Sequence, residues 1–323
     1  MIYGITMGDS SGVGPEIALK AWRSGELRRR VVVFGDLAVL DLCNRRLEYG
    51  VPLHAAAGPA DYVAGRLNVR DFGLLRAEDV TPGRINAKSG AAARAYVVAA
   101  AEAALRGEIA AMVTLPMNKE AAQLSDPAFV GHTELIGAVC GTRDVTIMLV
   151  SGDLVVTHVS THCSLRQAVE RAKEPRIRRI IELTCAAMAR IKPDYRVAVA
   201  GLNPHAGEHG LFGREEIEQI RPAVERARAQ GLRVEGPVPP DTVFYMAVRR
   251  KLFDAVVCMY HDQGHIPLKL LDFEGGVNVA LGLPIIRTSV DHGTAFDIAW
   301  QGKASTRSFV AALEFAARMA AAG

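Results

Sequence analysis

The chain has 323 residues, half of them hydrophobic and 23% charged, with a formal net charge of +3. That length can bury a large core, more readily as two compact units than as one. A charge this close to balance argues against a nucleic-acid or membrane-surface partner, and the composition is that of an ordinary soluble globular protein. Five cysteines without a CxxC pair read as reduced thiols and not as a disulfide framework. Gly8, Asp9 and Ser10 interrupt the opening before a secretion signal could form, and no window is apolar enough to span a bilayer. The expected compartment is the cytoplasm.

In chain order, IYGITM (2–7) is the first expected strand. GDSSGVGPE (8–16) follows as a tight turn, with Pro15 opening a helix near 15–24. Its glycine spacing is that of neither a dinucleotide fingerprint nor a P-loop, so no nucleotide site is read from it. VVVFG (31–35) and AAMVTL (110–115) are strands, with a helix over 86–106 between them. GHTE (131–134) opens the helical run ELIGAVCG. Thr133 there is either a plain cap or part of an anion site built on free backbone N–H groups. VTIMLV (145–150) and LVVTHV (154–159), joined by SGD, form an expected hairpin, which suggests a second domain inserted into the first. Helices near 165–191, 214–230 and 305–321 alternate with strands VAVAGL (197–202) and AVVCMY (255–260). Such alternation predicts an α/β protein with mainly parallel pairing.

Nine histidines are present, and eight fall between 132 and 292. His162, His205 and His261 each follow an expected strand. Functional groups in open α/β sheets gather at the carboxyl ends of strands. Three imidazoles delivered there would suit zinc or a similar ion, with positions left for substrate. A histidine taken singly is more often a surface or internally satisfied residue, and it is the shared strand-end position of the three that brings the metal reading level with that one. His158 lies inside its strand, so His162 is the expected ligand of that pair, and Cys163 beside it points away on an extended chain. Lys269, Asn278 and Arg287 are long or amide donors that together would suit a small anion with phosphate and carboxylate ends. On the residues alone, a metal-dependent hydrolase or lyase without nicotinamide stays open.

Taken together and in order, GDSSGVGPE, GHTE, GLNPHAGE, MYHDQG and LGLPIIRTSVDHGTAFDIA resemble the 4-hydroxythreonine-4-phosphate dehydrogenase family over nearly the whole chain. VDHGTAFDIA also resembles HGSAPDIAGKG of the isopropylmalate and isocitrate dehydrogenases. The resemblance implies a two-domain isocitrate/isopropylmalate dehydrogenase-like α/β fold, three-layer αβα, with the active-site cleft between domains. Residues 1–128 plus 275–323 would form the first domain and 129–274 the second. It implies a homodimer with the active site at the subunit interface, one divalent metal (zinc, cobalt or magnesium) on His162, His205 and His261, and NAD or NADP held without a Rossmann motif. Substrate contacts would come from His132, Thr133, Lys269, Asn278 and Arg287. Cofactor contacts would come from Asp291, His292, Gly293, Thr294, Ala295 and Asp297. Lys269 and Asp262 are the expected catalytic groups. The implied reaction oxidises 4-phosphohydroxy-L-threonine to 2-amino-3-oxo-4-(phosphooxy)butanoate, which decarboxylates to 3-amino-2-oxopropyl phosphate, in pyridoxal phosphate biosynthesis. The alternative is the same chemistry on D-threonate or D-erythronate 4-phosphate in acid-sugar catabolism.

The chain departs from the family pattern in three places. Ser10 and Ser11 replace Pro-Ala in the first loop. Ala299-Trp300-Gln301-Gly302 stands where AGKG or AGRG is usual, which bears on cofactor affinity and on the choice between NAD and NADP. His265 occupies a position often apolar in the vitamin B6 enzymes, and HDQGH is more like the acid-sugar phosphate relatives.

Overall fold

A computed structural model describes residues 1–321, which divide into two compact α/β units: Met1–Val145 with Leu283–Ala321, and Thr146–Gly282. Residues 129–145, expected with the second domain, fall in the first unit, where the helix they contain packs on a long helix of that unit. Residues 275–282, expected with the first domain, pair with a strand of the second.

The first unit begins with β1 (Ile2–Thr6), α1 (Gly14–Arg23), β2 (Arg30–Gly35), α2 (Leu37–Arg46), β3 (Leu53–Ala56) and β4 (Leu67–Asp71). It continues with α3 (Ala87–Leu105), β5 (Ala111–Thr114), α4 (Lys119–Ser125) and α5 (His132–Val139). The second unit contains β6 (Thr146–Ser151), β7 (Leu154–His158), α6 (Leu165–Arg171), α7 (Glu174–Ile191), β8 (Val197–Ala200), α8 (Arg221–Ala229) and β9 (Val234–Val238). It ends with α9 (Val243–Val248), β10 (Ala255–Cys258), α10 (His261–Leu271) and β11 (Val277–Leu281). The chain then returns to the first unit through β12 (Arg287–Val290) and α11 (Arg307–Ala321).

In the first unit the strands run β3-β4-β2-β1-β5-β12, and every neighbouring pair is parallel. In the second they run β11-β6-β7-β10-β8-β9, antiparallel across β11, β6 and β7 and parallel from β7 onward. The parallel strands β5, β8 and β10 are buried along their whole length. That is why they read as unbroken apolar runs: helices cover both faces of such strands and leave no polar alternation. Leu149, Leu154, Val156, Ala198, Val256, Phe253 and Leu268 form the core of the second unit.

The expected hairpin is present, with Ser151 opposite Leu154 and the turn closed at Gly152. The helix expected over 165–191 is two helices, α6 and α7, because Pro175 favours a new helix start and α6 is already closed at Ala172. Strands β3, β4, β9, β11 and β12 are additions to the sequence-based expectation, as are α2, α4, α9 and α10.

Candidate active site

The order β7-β10-β8, with all three strands parallel, points three carboxyl ends the same way. His162 lies shortly beyond β7, His261 opens α10 just beyond β10, and His205 lies on the turn Pro204–Gly210 beyond β8. MYHDQGHIPLK (259–269) runs from the exit of β10 into α10. Its polar half is the start of a helix, with Tyr260 as N-cap and Pro267 inside. The helix can close against β7 because Gly264 has no side chain: a Cβ there would stand 2.5 Å from Nε2 of His158.

The ring centroids of His162 and His261 are 5.7 Å apart. His261 Nδ1–H donates to Oδ1 of Asp262 at 2.7 Å, which leaves Nε2 as the lone-pair nitrogen. His265 stacks flat on His261, with centroids 3.6 Å apart and planes within 8°. His158, at the end of β7, packs 4.7 Å from His265. Burial, and then the neighbouring His265 and His261, push its pKa down to about 3, so it is a neutral wall of the stack.

The turn bearing His205 is unusual. His205, Ala206, Gly207, Glu208 and His209 all have left-handed backbones, with φ between 43° and 81°. The left-handed conformation costs roughly 1–2 kcal/mol per non-glycine residue. The ring of His205 packs 6.2 Å from that of Phe212. The structure thus brings His162 and His261 together and does not bring His205 to them. Among the described residues, no group of three or more His, Cys, Asp or Glu side chains is arranged to hold a metal ion as it stands. The donor chemistry nevertheless fits one: a neutral imidazole oriented by a carboxylate, beside a second imidazole, at the ends of adjacent strands.

In the first unit, His132 and Thr133 form the first turn of α5 after an extended Gly131. Arg287, on β12 and only 4% exposed, donates from Nη2 to Thr114 Oγ1 at 2.7 Å. Its Nε has no hydrogen-bond partner, and neither has the shielded Nε2 of His132. Burial lowers the Arg287 pKa to about 10, opposed by Glu134, and burial followed by Arg287 lowers that of His132 to about 3. A guanidinium withdrawn from water with a spare donor, next to a neutral imidazole at a helix N-terminus, has the chemistry of an anion cradle. Both readings of GHTE were open in the sequence, and the orphaned donors favour the anion site. Lys269 and Asn278 belong to the second unit. Lys269 is in the last turn of α10 with Nζ 5.0 Å from the Phe273 ring centre, and Asn278 on β11 has a buried Oδ1 without a partner.

The 291–297 stretch is anchored to the glycine loop. Thr294 O accepts from Val13 N at 3.0 Å, and Gly12 must be glycine because a Cβ would stand 2.9 Å from Thr294. Ser308 Oγ accepts from Asp291 N, Ala295 is left-handed, and His292, Gly293 and Asp297 are exposed. Farther along, Lys20 Nζ donates to the carbonyls of Gly302 and Ala304, and Glu16 accepts from Ala304 N at 2.8 Å. These anchors on α1 had no signal in the sequence. The stretch 291–297 thus presents exposed backbone and polar side chains. Trp300 does not obstruct them: it is 2% exposed, turned inward beneath Arg46, on a backbone (φ 58°) where glycine would be at ease. The Ser10-Ser11 departure is likewise accommodated, since both hydroxyls are within hydrogen-bond reach of Ser89 Oγ, at 2.6 and 3.2 Å.

The model of the family described as pyridoxal phosphate biosynthetic protein PdxA matches residues 26–316. The chain is 45% identical over 323 residues to the D-threonate 4-phosphate dehydrogenase of Salmonella typhimurium, covering 98% of each chain. It is 43% identical over 326 residues to the 4-hydroxythreonine-4-phosphate dehydrogenase of Desulforapulum autotrophicum, covering 99% of this chain and 95% of that one. Among solved structures, the 4-hydroxythreonine-4-phosphate dehydrogenase of Klebsiella pneumoniae superposes with a TM-score of 0.90 at 44% identity, covering 99% of both chains. Motifs, fold and relatives agree, and the chain belongs to the PdxA family.

Proposed function

We propose that this protein is a divalent-metal-dependent, NAD(P)-linked dehydrogenase that oxidises the C3 hydroxyl of a four-carbon acid carrying a 4-phosphate. The observation that carries this reading is the cradle at α5, where buried Arg287 and the shielded Nε2 of His132 offer unpartnered nitrogens to an anion. His162, His205 and His261 would hold zinc, cobalt or magnesium, and residues 291–297 would hold the adenosine portion of the cofactor. When bound, the metal supplies Lewis acidity that lowers the hydroxyl pKa, and the nicotinamide supplies the hydride acceptor. Arg287, His132 and the α5 N-terminus, with Thr133, bind the phosphate. Asn278 orients the acid end, and Lys269 Nζ relays the hydroxyl proton. Asp262 keeps the proton of His261 on Nδ1. Oxidation leaves a 3-oxo acid, which loses carbon dioxide to give a phosphorylated ketone.

The three candidate substrates share this skeleton and differ at C2, where 4-phosphohydroxy-L-threonine carries an amino group and the two acid-sugar phosphates a hydroxyl. The 45% identity to a D-threonate 4-phosphate dehydrogenase favours the acid sugar, and the 43% identity to a 4-hydroxythreonine-4-phosphate dehydrogenase supports the second reading. The exposed apolar side chains of Ile266 (63%), Leu270 (85%) and Phe273 (72%), on and just after α10, support a homodimer. No helix among the described residues is long and apolar enough to cross a membrane.

The test is NAD and NADP reduction on D-threonate 4-phosphate, D-erythronate 4-phosphate and 4-phosphohydroxy-L-threonine side by side, each with and without a chelator. Turnover of one of them that disappears with chelation is expected. Chelator-resistant turnover would remove the metal, and no turnover of any would remove the activity.

A further inference from the structure

Arg287 opens β12 opposite Met112, and Thr114, two residues farther along β5, stands opposite Ser289. Thr288 donates from Oγ1 to Ala312 O of α11, so its neighbours Arg287 and Ser289 face the other side of the sheet, and Thr114 faces that side with them. Two strand residues span about 6.6 Å, a distance an arginine side chain covers. The guanidinium is thereby carried along the sheet to the carboxyl end of β5, where Nη2 donates to Thr114 Oγ1 at 2.7 Å. Both residues are buried, and this is the one hydrogen bond the Arg287 side chain makes among the described residues. A hydroxyl is a neutral acceptor. It fixes the direction of the guanidinium and leaves the charge unspent, whereas a carboxylate in its place would cancel the field that an anion needs. Thr6, opposite Thr114 on β1, is buried as well, but its Oγ1 has no hydrogen-bond partner.

We propose that Thr114 is a positioning residue of the anion site: its hydroxyl aims the Arg287 guanidinium, keeping Nε free for the anion, without neutralising the charge. The inference rests on the anion reading above and adds what makes a buried arginine a binding group. A group that must meet its ligand to within about 0.5 Å needs such support from behind. Thr114 acts through Arg287 and not by touching the anion.

The experiment is titration calorimetry of inorganic phosphate into the full-length protein at one pH, with thermal unfolding recorded for each variant. Thr114→Val keeps the shape and the strand preference of the side chain and removes the acceptor. It should weaken phosphate binding about ten-fold, the size of one lost bond to a charged group. Thr114→Ala removes the same acceptor, should give a similar loss, and covers the case in which Thr114→Val does not fold. Thr114→Ser restores the hydroxyl and should recover most of the affinity. Thr6→Val removes a hydroxyl at the same level of the sheet that holds nothing, and should leave phosphate affinity as in the parent. An unchanged affinity in Thr114→Val, with or without a lower melting temperature, would overturn the positioning role and leave the anion site standing. So would a loss as large in Thr6→Val, or no recovery in Thr114→Ser. Failure of the unsubstituted protein to bind phosphate would overturn the anion reading, and the positioning role with it.

Discussion

In the first unit the groups proposed to grip the substrate's phosphate stand on regular elements: buried Arg287 on β12 and His132, with its shielded Nε2, at the start of α5, with Thr114 of β5 holding the guanidinium. In the second unit the groups assigned to the metal lie beyond the strand ends. Asp262 and His265 orient one of them, His261, while His205 sits on a strained turn. The difference follows from the partners. An anion cradle can be complete in advance because strand and helix backbones hold its donors, and one charge-assisted bond to Thr114 fixes the guanidinium plane. Metal ligands must present lone pairs that nothing else uses, so the protein orients them from behind and the ion itself closes the set.

That contrast can be broken most severely at the metal. Dialysis against a chelator should reduce NADH formation by about a thousand-fold or more, the size of several kcal/mol of lost charge stabilisation. The apoprotein should still bind inorganic phosphate in the first unit, and loss of phosphate binding along with the metal would refute the separation. Next in size, Arg287→Leu should lower kcat/KM by roughly 10- to 100-fold, mostly through KM, because it removes a charge-assisted contact to a dianion. Arg287→Lys should recover little, since an ammonium presents its donors from a single point and lacks the planar fork that holds Thr114 with one nitrogen and offers another to the anion. Zinc affinity should be unchanged in either variant. Asp262→Asn tests the orienting side of the comparison. It weakens the bond that keeps the proton on Nδ1 of His261 and should cost about 10- to 100-fold in metal affinity by calorimetry, with phosphate binding intact.

The smallest expected effect concerns stability and not turnover. Asp9 is fully buried with one carboxylate oxygen unpartnered, and burial pushes its pKa up to about 6, against the opposing bonds from Ser11 and Asn118 backbone N–H groups. Its folded pKa lies above its unfolded value, so the folded state binds the extra proton in between. Stability therefore falls as pH rises from about 4 to about 6 and stays low above that. Asp9→Asn should remove this penalty, raising stability at pH 8 by up to about 2–3 kcal/mol and changing little at pH 4, as read by denaturant unfolding. A variant less stable than the parent at pH 8 would show that the charged form is needed by the Ser11 turn.

Much of the frame was legible in the residues because it depends on local rules. VVVFG, VAVAGL and AVVCMY are apolar without interruption, and all three became buried parallel strands. SGD with Gly152 made the hairpin, and the histidines after β7, β8 and β10 fell where sheet strands deliver functional groups. The missed elements carry signals that contradict their state. Helix α10 contains Gly264 and Pro267, both poor helix formers, and forms because Gly264 lets it close on His158. Strands β11 and β12 are interrupted by the polar residues Asn278, and Arg287, Thr288 and Ser289, which mask the strand pattern.

What this sequence determines by itself is the alternation of strand and helix, the positions of the chemically able side chains, and the family to which their motifs point. These follow from periodicity and from residue chemistry, which act within a few positions along the chain. Only the tertiary structure decides which of those side chains meet. The order β7-β10-β8 brings His162 to His261, Thr114 leaves Arg287 with a spare donor, Trp300 turns inward, and Gln263 bonds Gly201 across 62 residues of chain. Each depends on contacts between residues distant in sequence, whose closing entropy is offset only when the whole core forms.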